Sequence, residues 1–266
     1  MLTVGSQTLR ARLIGTMLSA RQFYGRTFSC DRRRVMNNEV SVPATIVNIN
    51  EMLPYTFLAV LGKRVIHPGG RPTTEEMYRL ADFQPGQRVL EVGCGVGSTA
   101  IEIARRFNCH VTAIDIDDIM LNYARANVRA AGLDEKVIVQ KADVLALPFS
   151  DQAFDRIMIE TVLGFVDQAV ASREVLRVCR RGGRVVDHEF MWERTPPDEL
   201  LQISGVPTVL SPAGFLRDEG LKHTLEIAGH TISHPAYLLR LLRLMRRMRQ
   251  LRPYLRWTIV AGVKAA

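Results

Sequence analysis

From residue 88 onward, short apolar runs alternate with longer stretches in which apolar residues recur every three or four positions. The runs fall near 88–92, 110–115, 137–141, 154–159 and 183–188, and their length and apolar character suit buried strands. The intervening helical stretches lie near 98–107, 118–131 and 167–180; Gly132 stops the second and Arg181-Gly182-Gly183 the third. Alternating strands and helices predict a parallel sheet with helices on both faces. Residues 190–211 break the alternation with Pro196, Pro197, Gly205 and Pro207. An insertion after the fifth strand sits over the carboxyl edge of such a sheet, where ligands bind, so it is the expected substrate lid. Beyond it the spacing predicts a helix near 213–228, closed by Gly229, and another over 237–251.

The most informative junction is Val89-Leu90-Glu91-Val92-Gly93-Cys94-Gly95-Val96-Gly97. A buried strand closes on an acid and breaks into Gly-x-Gly-x-Gly before a helix, placing glycines where a ligand must approach bare backbone. The next strand ends on Asp115, an acid positioned to hold a ribose diol. Strand, glycine loop and distal acid also occur in NAD-dependent oxidoreductases, but there the spacing is Gly-x-Gly-x-x-Gly.

Further blocks follow in order: Ala113-Ile114-Asp115-Ile116, Lys141-Ala142-Asp143-Val144, Leu147-Pro148-Phe149, Phe154-Asp155-Arg156-Ile157, Glu174-Val175-Leu176-Arg177-Val178 and Arg181-Gly182-Gly183. With the glycine loop they make the region from about Gly86 to Glu189 resemble the class I S-adenosylmethionine (SAM) dependent methyltransferases. The likeness is to the small-molecule group that includes the ubiquinone/menaquinone, tocopherol and sterol C-methyltransferases. The resemblance implies a doubly wound α/β fold, a seven-stranded and mostly parallel Rossmann-like sheet with an antiparallel C-terminal hairpin. Residues 231–233 and Leu255–Val263 are the expected hairpin strands. It implies SAM as cofactor and transfer of a methyl group to a small, hydrophobic acceptor such as a quinone, terpenoid or sterol. By the same resemblance Glu91, Gly93, Gly95 and Gly97 floor the methionine part of SAM and Asp115 takes the ribose hydroxyls. Ile116 packs on the adenine, and Asp143 with the Val144 backbone meets its amino group.

Catalytic candidates come from strand ends near that crevice. His188 closes the fifth strand just before the expected lid, and a histidine there is the first candidate general base. Glu160 closes the fourth strand and faces the same cleft, adding to the cofactor set as well. His67 lies in the turn His67-Pro68-Gly69-Gly70, upstream of the first sheet strand, in a segment expected to close over the cofactor. Tyr55, Phe190 and Trp192 are the expected substrate-contact aromatics. Asp117 and Asp118 read as first-turn helix acids. Cys94 reads as a small buried filler rather than a nucleophile.

Composition changes this picture in one respect. The net charge of +8 divides into +6 over residues 1–36, +7 over residues 237–256 and +1 at Lys264, so residues 37–236 carry −6. The catalytic body is acidic, which argues against a nucleic-acid partner. Residues 1–36 form a basic extension, read as disordered or organelle-targeting, residues 37–85 an N-terminal helical cap, and residues 86–266 the SAM-binding domain with its lid at 190–211. Residues 237–251 set leucines and methionines against arginines, a pattern of either a helix docked on its own sheet or on a dimer partner, or one lying on a membrane surface. Four cysteines without paired spacing suggest a reduced, cytoplasmic setting and no metal site. Monomer and homodimer both remain open. The non-catalytic alternative is a methyltransferase-fold scaffold at a membrane.

Overall fold

The computed structural model describes residues 52–192, 212–251 and 255–265. The basic extension, the first part of the cap and lid residues 193–211 lie outside the described residues. In chain order the elements are α1 (Pro54–Val60), α2 (Arg71–Ala81), β1 (Arg88–Val92), α3 (Ser98–Phe107), β2 (His110–Asp115), α4 (Asp118–Ala130), β3 (Val137–Lys141) and β4 (Phe154–Glu160). A 3-10 turn, Leu163–Phe165, leads to α5 (Gln168–Val178) and β5 (Cys179–Trp192), followed by α6 (Pro212–Glu219), α7 (Leu221–Ile232), α8 (Pro235–Leu251) and β6 (Leu255–Val263).

The strands form one sheet in the order β3-β2-β1-β4-β5-β6, parallel throughout except for β6. The chain runs outward from β1 through β2 to β3, then restarts on the other side of β1 with β4. The switch point therefore falls between the carboxyl ends of β1 and β4, where the crevice of a doubly wound sheet opens. β1 is buried on both faces after Arg88, as a central parallel strand requires. One face packs Val89, Val111, Met158 and Val186 under α2, α3 and α4; the other packs Leu90, Ile157 and Ile159 under α5. Helix starts follow local chemistry: Asp117 caps α4 by accepting from the Ile119 and Met120 amides, and Asp167 caps α5 in the same way. That first cap agrees with the structural reading of Asp117.

Three expectations need correction. Residues 231–233 are not a strand: Thr231 lies in the last turn of α7, where its hydroxyl donates back to the Ile227 carbonyl at 2.8 Å. The described residues therefore hold six strands, and the antiparallel hairpin pairs residues 184–192 of β5 directly with Leu255–Val263. The helix expected near 213–228 is two helices broken at Gly220, whose φ of 77° suits glycine, while Gly229 sits inside α7. Arg181-Gly182-Gly183 is not the stop of the third helix, which already ends at Val178. Helix α5 passes at Cys179 into β5, and these residues form an irregularity between the Phe154↔Cys179 and Arg156↔Arg184 pairs.

The start of the cap rests on the C-terminal helices. Phe57, Leu58 and Leu61 of the α1 region pack with Ile227 and Leu251, and with Tyr237, Leu241, Leu244 and Met245 of α8. Ile66 touches both this cluster and the one formed by Ala59, Val96 and Met120, so the cap spans from α8 to the glycine loop.

Candidate active site

The loop after β1 divides its glycines between two tasks. A Cβ on Gly93 would lie 2.3 Å from Val162 Cγ2, and one on Gly97 would lie 3.1 Å from Ala124 Cβ. These two permit close packing of the loop against its neighbours. Gly95 has φ 51° and would meet nothing within 4 Å, so its bare backbone faces open space. Its amide donates to Asp115 Oδ2 at 2.9 Å, and the Asp117 amide donates to Asp115 Oδ1 at 3.0 Å. Burial pushes the Asp115 carboxyl up, opposed by these amides. Next to it Ile116 is 63% exposed, a large apolar side chain presented where a flat ring is expected. Asp143 follows β3, brought alongside by the Ala142 amide donating to the Asp115 carbonyl. Its Oδ1 accepts from the Leu145 amide at 2.9 Å, while Val144 is buried in the lower core. Thr56 of α1 donates to Asp117 Oδ2 at 2.6 Å and ties the cap to this edge of the crevice.

On the opposite side of the switch point the sheet carries a buried polar row. Side chains alternate along a strand, so Glu91 shares a face with Val89, Glu160 with Met158, and His188 with Val186. Register places Glu160 directly beside His188. Glu91 has its carboxyl well above the usual range through burial and the nearby Glu160 and Asp115 charges, and its Oε2 has no hydrogen-bond partner. Glu160 is likewise raised by burial, partly offset by His67, and its Oε1 is unpartnered. Unpartnered buried carboxylate oxygens are costly unless a donor or cation arrives. The glycine loop, Asp115 and the unpartnered Glu91 oxygen fit a ligand with hydroxyls and positive charge, as SAM has.

His67 reaches the row from the cap. Its Nδ1 lies 3.0 Å from the Pro68 carbonyl, which can only accept, so Nδ1 carries the proton. Nε2 lies 2.8 Å from Thr74 Oγ1 and 3.3 Å from Glu160 Oε2, and the His67 ring meets His188 edge-on at 5.6 Å. The three catalytic candidates, from the cap, β4 and β5, thus converge. They differ in what they can do. His188 is fully buried, neither ring nitrogen has a hydrogen bond, and burial lowers its pKa to about 3. It stands as a neutral wall residue, packed on its other side against Trp257 at 5.6 Å.

The loop bearing His67 is held from both ends by residues whose roles the sequence did not reveal. Glu219, at the end of α6, accepts from the Arg64 amide at 2.9 Å, the Val65 amide at 3.0 Å and the buried Lys63 ammonium at 3.4 Å. Asp218 accepts from the Arg71 amide at 3.3 Å, just past the double glycine, and faces Lys63 at 3.7 Å. No local motif marks these acids, because their partners lie about 150 residues away.

The aromatic candidates fall on α1 and β5. Tyr55 packs near Val96 and Met120 and meets Phe165 edge-on at 5.7 Å. The turn carrying Phe165 is held by Glu189, which accepts from the Val162, Leu163 and Gly164 amides; burial lifts its carboxyl to about 7. Phe190 pairs with Trp257 across the hairpin. Trp192 pairs with Leu255 in register, and its side chain lies outside the described residues. Cys94 is buried with its thiol pushed well up by burial, which suits filler and not a nucleophile.

Comparison with known proteins agrees with this geometry. The family described as "Methyltransferase domain" matches residues 89–183. An uncharacterised protein of Haemophilus influenzae is 32% identical over 208 residues, covering 65% of this chain and 83% of that protein. The 24-methylenesterol C-methyltransferase 2 of rice (Oryza sativa subsp. japonica) is 34% identical over 163 residues, covering 59% of this chain and 45% of the rice protein, so the chain spans about half of that relative. A SAM-dependent methyltransferase from Thiobacillus denitrificans, solved with S-adenosylhomocysteine, shares the fold at TM-score 0.60 and 18% identity, over 80% of this chain and 99% of that one. The fold and crevice are those of an enzyme that takes its methyl group from SAM. The chain belongs to the class I SAM-dependent methyltransferases, in the small-molecule group.

Proposed function

We propose that this enzyme methylates a small, hydrophobic acceptor at an atom that carries a dissociable proton, with the Glu160–His67 pair receiving that proton. The observation that carries this reading is the meeting of His67, Glu160 and His188 on the sheet face beside Glu91. Bound SAM supplies an electrophilic methyl group on a sulfonium centre. The protein's share is alignment, exclusion of water and proton removal. The Pro68 carbonyl fixes the proton on His67 Nδ1, leaving Nε2 and the Glu160 carboxylate to share one mobile proton. Empty of that proton the pair is a base; filled, it is spent. His188, neutral by burial, keeps the sulfonium's surroundings from gaining positive charge. Tyr55, Phe165, Phe190 and Trp257 supply apolar surface for a ring-bearing acceptor, in keeping with the sterol relative.

The test is incorporation of labelled methyl from SAM across a panel of phenols, quinols, amines and sterols. The expected product is an O- or N-methylated hydrophobic acceptor, formed faster as rising pH deprotonates Glu160, whose carboxyl burial raises. Products methylated only on carbon, at a pH-independent rate, would contradict this reading.

A further inference from the structure

From Ile227 to Ala266 the chain contains no Asp or Glu, while it carries seven arginines and one lysine. Within α8 this basic sequence is sorted by face. Tyr237, Leu241, Leu244, Met245 and Leu251 pack inward against Phe57, Leu58 and Leu61. Arg240 joins that inner side, with its guanidinium 4.6 Å from the centroid of the Phe57 ring. The outward stripe holds Leu239 (57% exposed) and Leu242 (52% exposed) together with the exposed Arg243, Arg246 and Arg249. These five recur at three- and four-residue steps, so they share one face of a straight helix. Exposed leucines at Leu221, Leu225 and an exposed Ile232 add apolar surface on the adjoining α7.

We infer that this outward stripe of α8 docks the enzyme on an anionic lipid surface. Charge decides between occupants. A second copy meeting it stripe to stripe would set arginine against arginine, with no acid in the stripe. Nucleic acid would attract the arginines but leave Leu239 and Leu242 without a partner. An anionic bilayer interface takes both, since arginines neutralise headgroups while leucines enter the acyl boundary. No helix among the described residues is long and apolar enough to cross a membrane, so the contact lies in the plane of the surface. The inner side of α8 rests on the cap, and the cap's Ile66 reaches Val96 of the glycine-loop cluster. Docking by α8 therefore brings the bilayer to the cap that borders the acceptor approach. The binding itself stands whether or not the acceptor reading under Proposed function is right.

The experiment is co-sedimentation of the full chain with vesicles of phosphatidylcholine alone and of phosphatidylcholine mixed with phosphatidylserine. Binding is expected to the mixed vesicles and to weaken with salt. Arg243→Gln/Arg246→Gln/Arg249→Gln should lower the affinity about a hundredfold. Leu239→Gln/Leu242→Gln should weaken the binding that survives high salt. SAM affinity should be unchanged in both variants, which shows that they are folded. Three results each overturn the inference: equal binding to both vesicle types, no binding to either, or wild-type affinity in the arginine variant. Binding of duplex DNA in preference to the mixed vesicles would do the same.

Discussion

Gly93 and Gly95 are two residues apart and both have positive φ, yet their surroundings predict different failures. Gly95→Ala adds a methyl to open space, so folding should lose only about 1 kcal/mol for the left-handed backbone. SAM affinity should nevertheless fall at least tenfold, because that space is where the ligand lies; titration calorimetry with thermal melting checks both halves. Gly93→Ala would push a methyl to 2.3 Å from Val162 and should cost about 1–3 kcal/mol of stability before any ligand is added. At His188 the prediction concerns pH. Its folded pKa is lowered from 6.5 to about 3, so between those values the unfolded chain takes up a proton that the folded chain refuses. Stability should therefore fall as pH drops from 6.5 towards 3. His188→Phe should flatten that part of the pH–stability profile, and an unchanged slope would show that other groups govern it.

At the scale of elements, the loop from Lys63 to Arg71 is positioned by a helix about 150 residues away. Glu219 is fully buried, and its removal leaves Lys63 without its closest carboxylate and the Arg64 and Val65 amides without an acceptor. Glu219→Ala should cost about 3–5 kcal/mol in chemical denaturation, the range for breaking a buried pair by removing one partner. Glu219→Gln retains acceptors for the amides and should cost less. This clamp marks where the sequence stopped being readable. The βα alternation and the strand-end acids Glu91, Asp115 and Glu160 were legible, because strand burial and glycine spacing are local signals. The sequence also singled out His67 and His188, since strand ends and their flanking turns feed such a crevice. Their mutual contact was not legible, because it depends on how the cap folds back. Residues 231–233 misled for a physical reason: Thr and Ile favour strands, but Thr231 satisfies its hydroxyl within the helix. The sequence reading closes the helix at Gly229, but it is Gly220 that takes the positive φ.

For the whole molecule, division of charge and division of labour coincide. The acidic segment supplies the crevice, and the basic C-terminal region supplies α8, whose apolar inner face docks on the cap, where the sequence alone pointed to the sheet, a dimer partner or a membrane. The sheet gathers Glu91, Glu160 and His188 on one face of the switch point, while α6 and the cap deliver His67 to them. The central claim is that this assembly separates two tasks, holding SAM and removing the acceptor's proton, and that Glu160 performs the second. The direct measurement is the methyl-transfer rate and the SAM affinity of Glu160→Gln beside the wild type at neutral pH. The account predicts a rate lower by about 10²–10⁴-fold with SAM affinity within a few-fold of wild type. An undiminished rate, or a loss of SAM binding large enough to explain the whole drop, would contradict it.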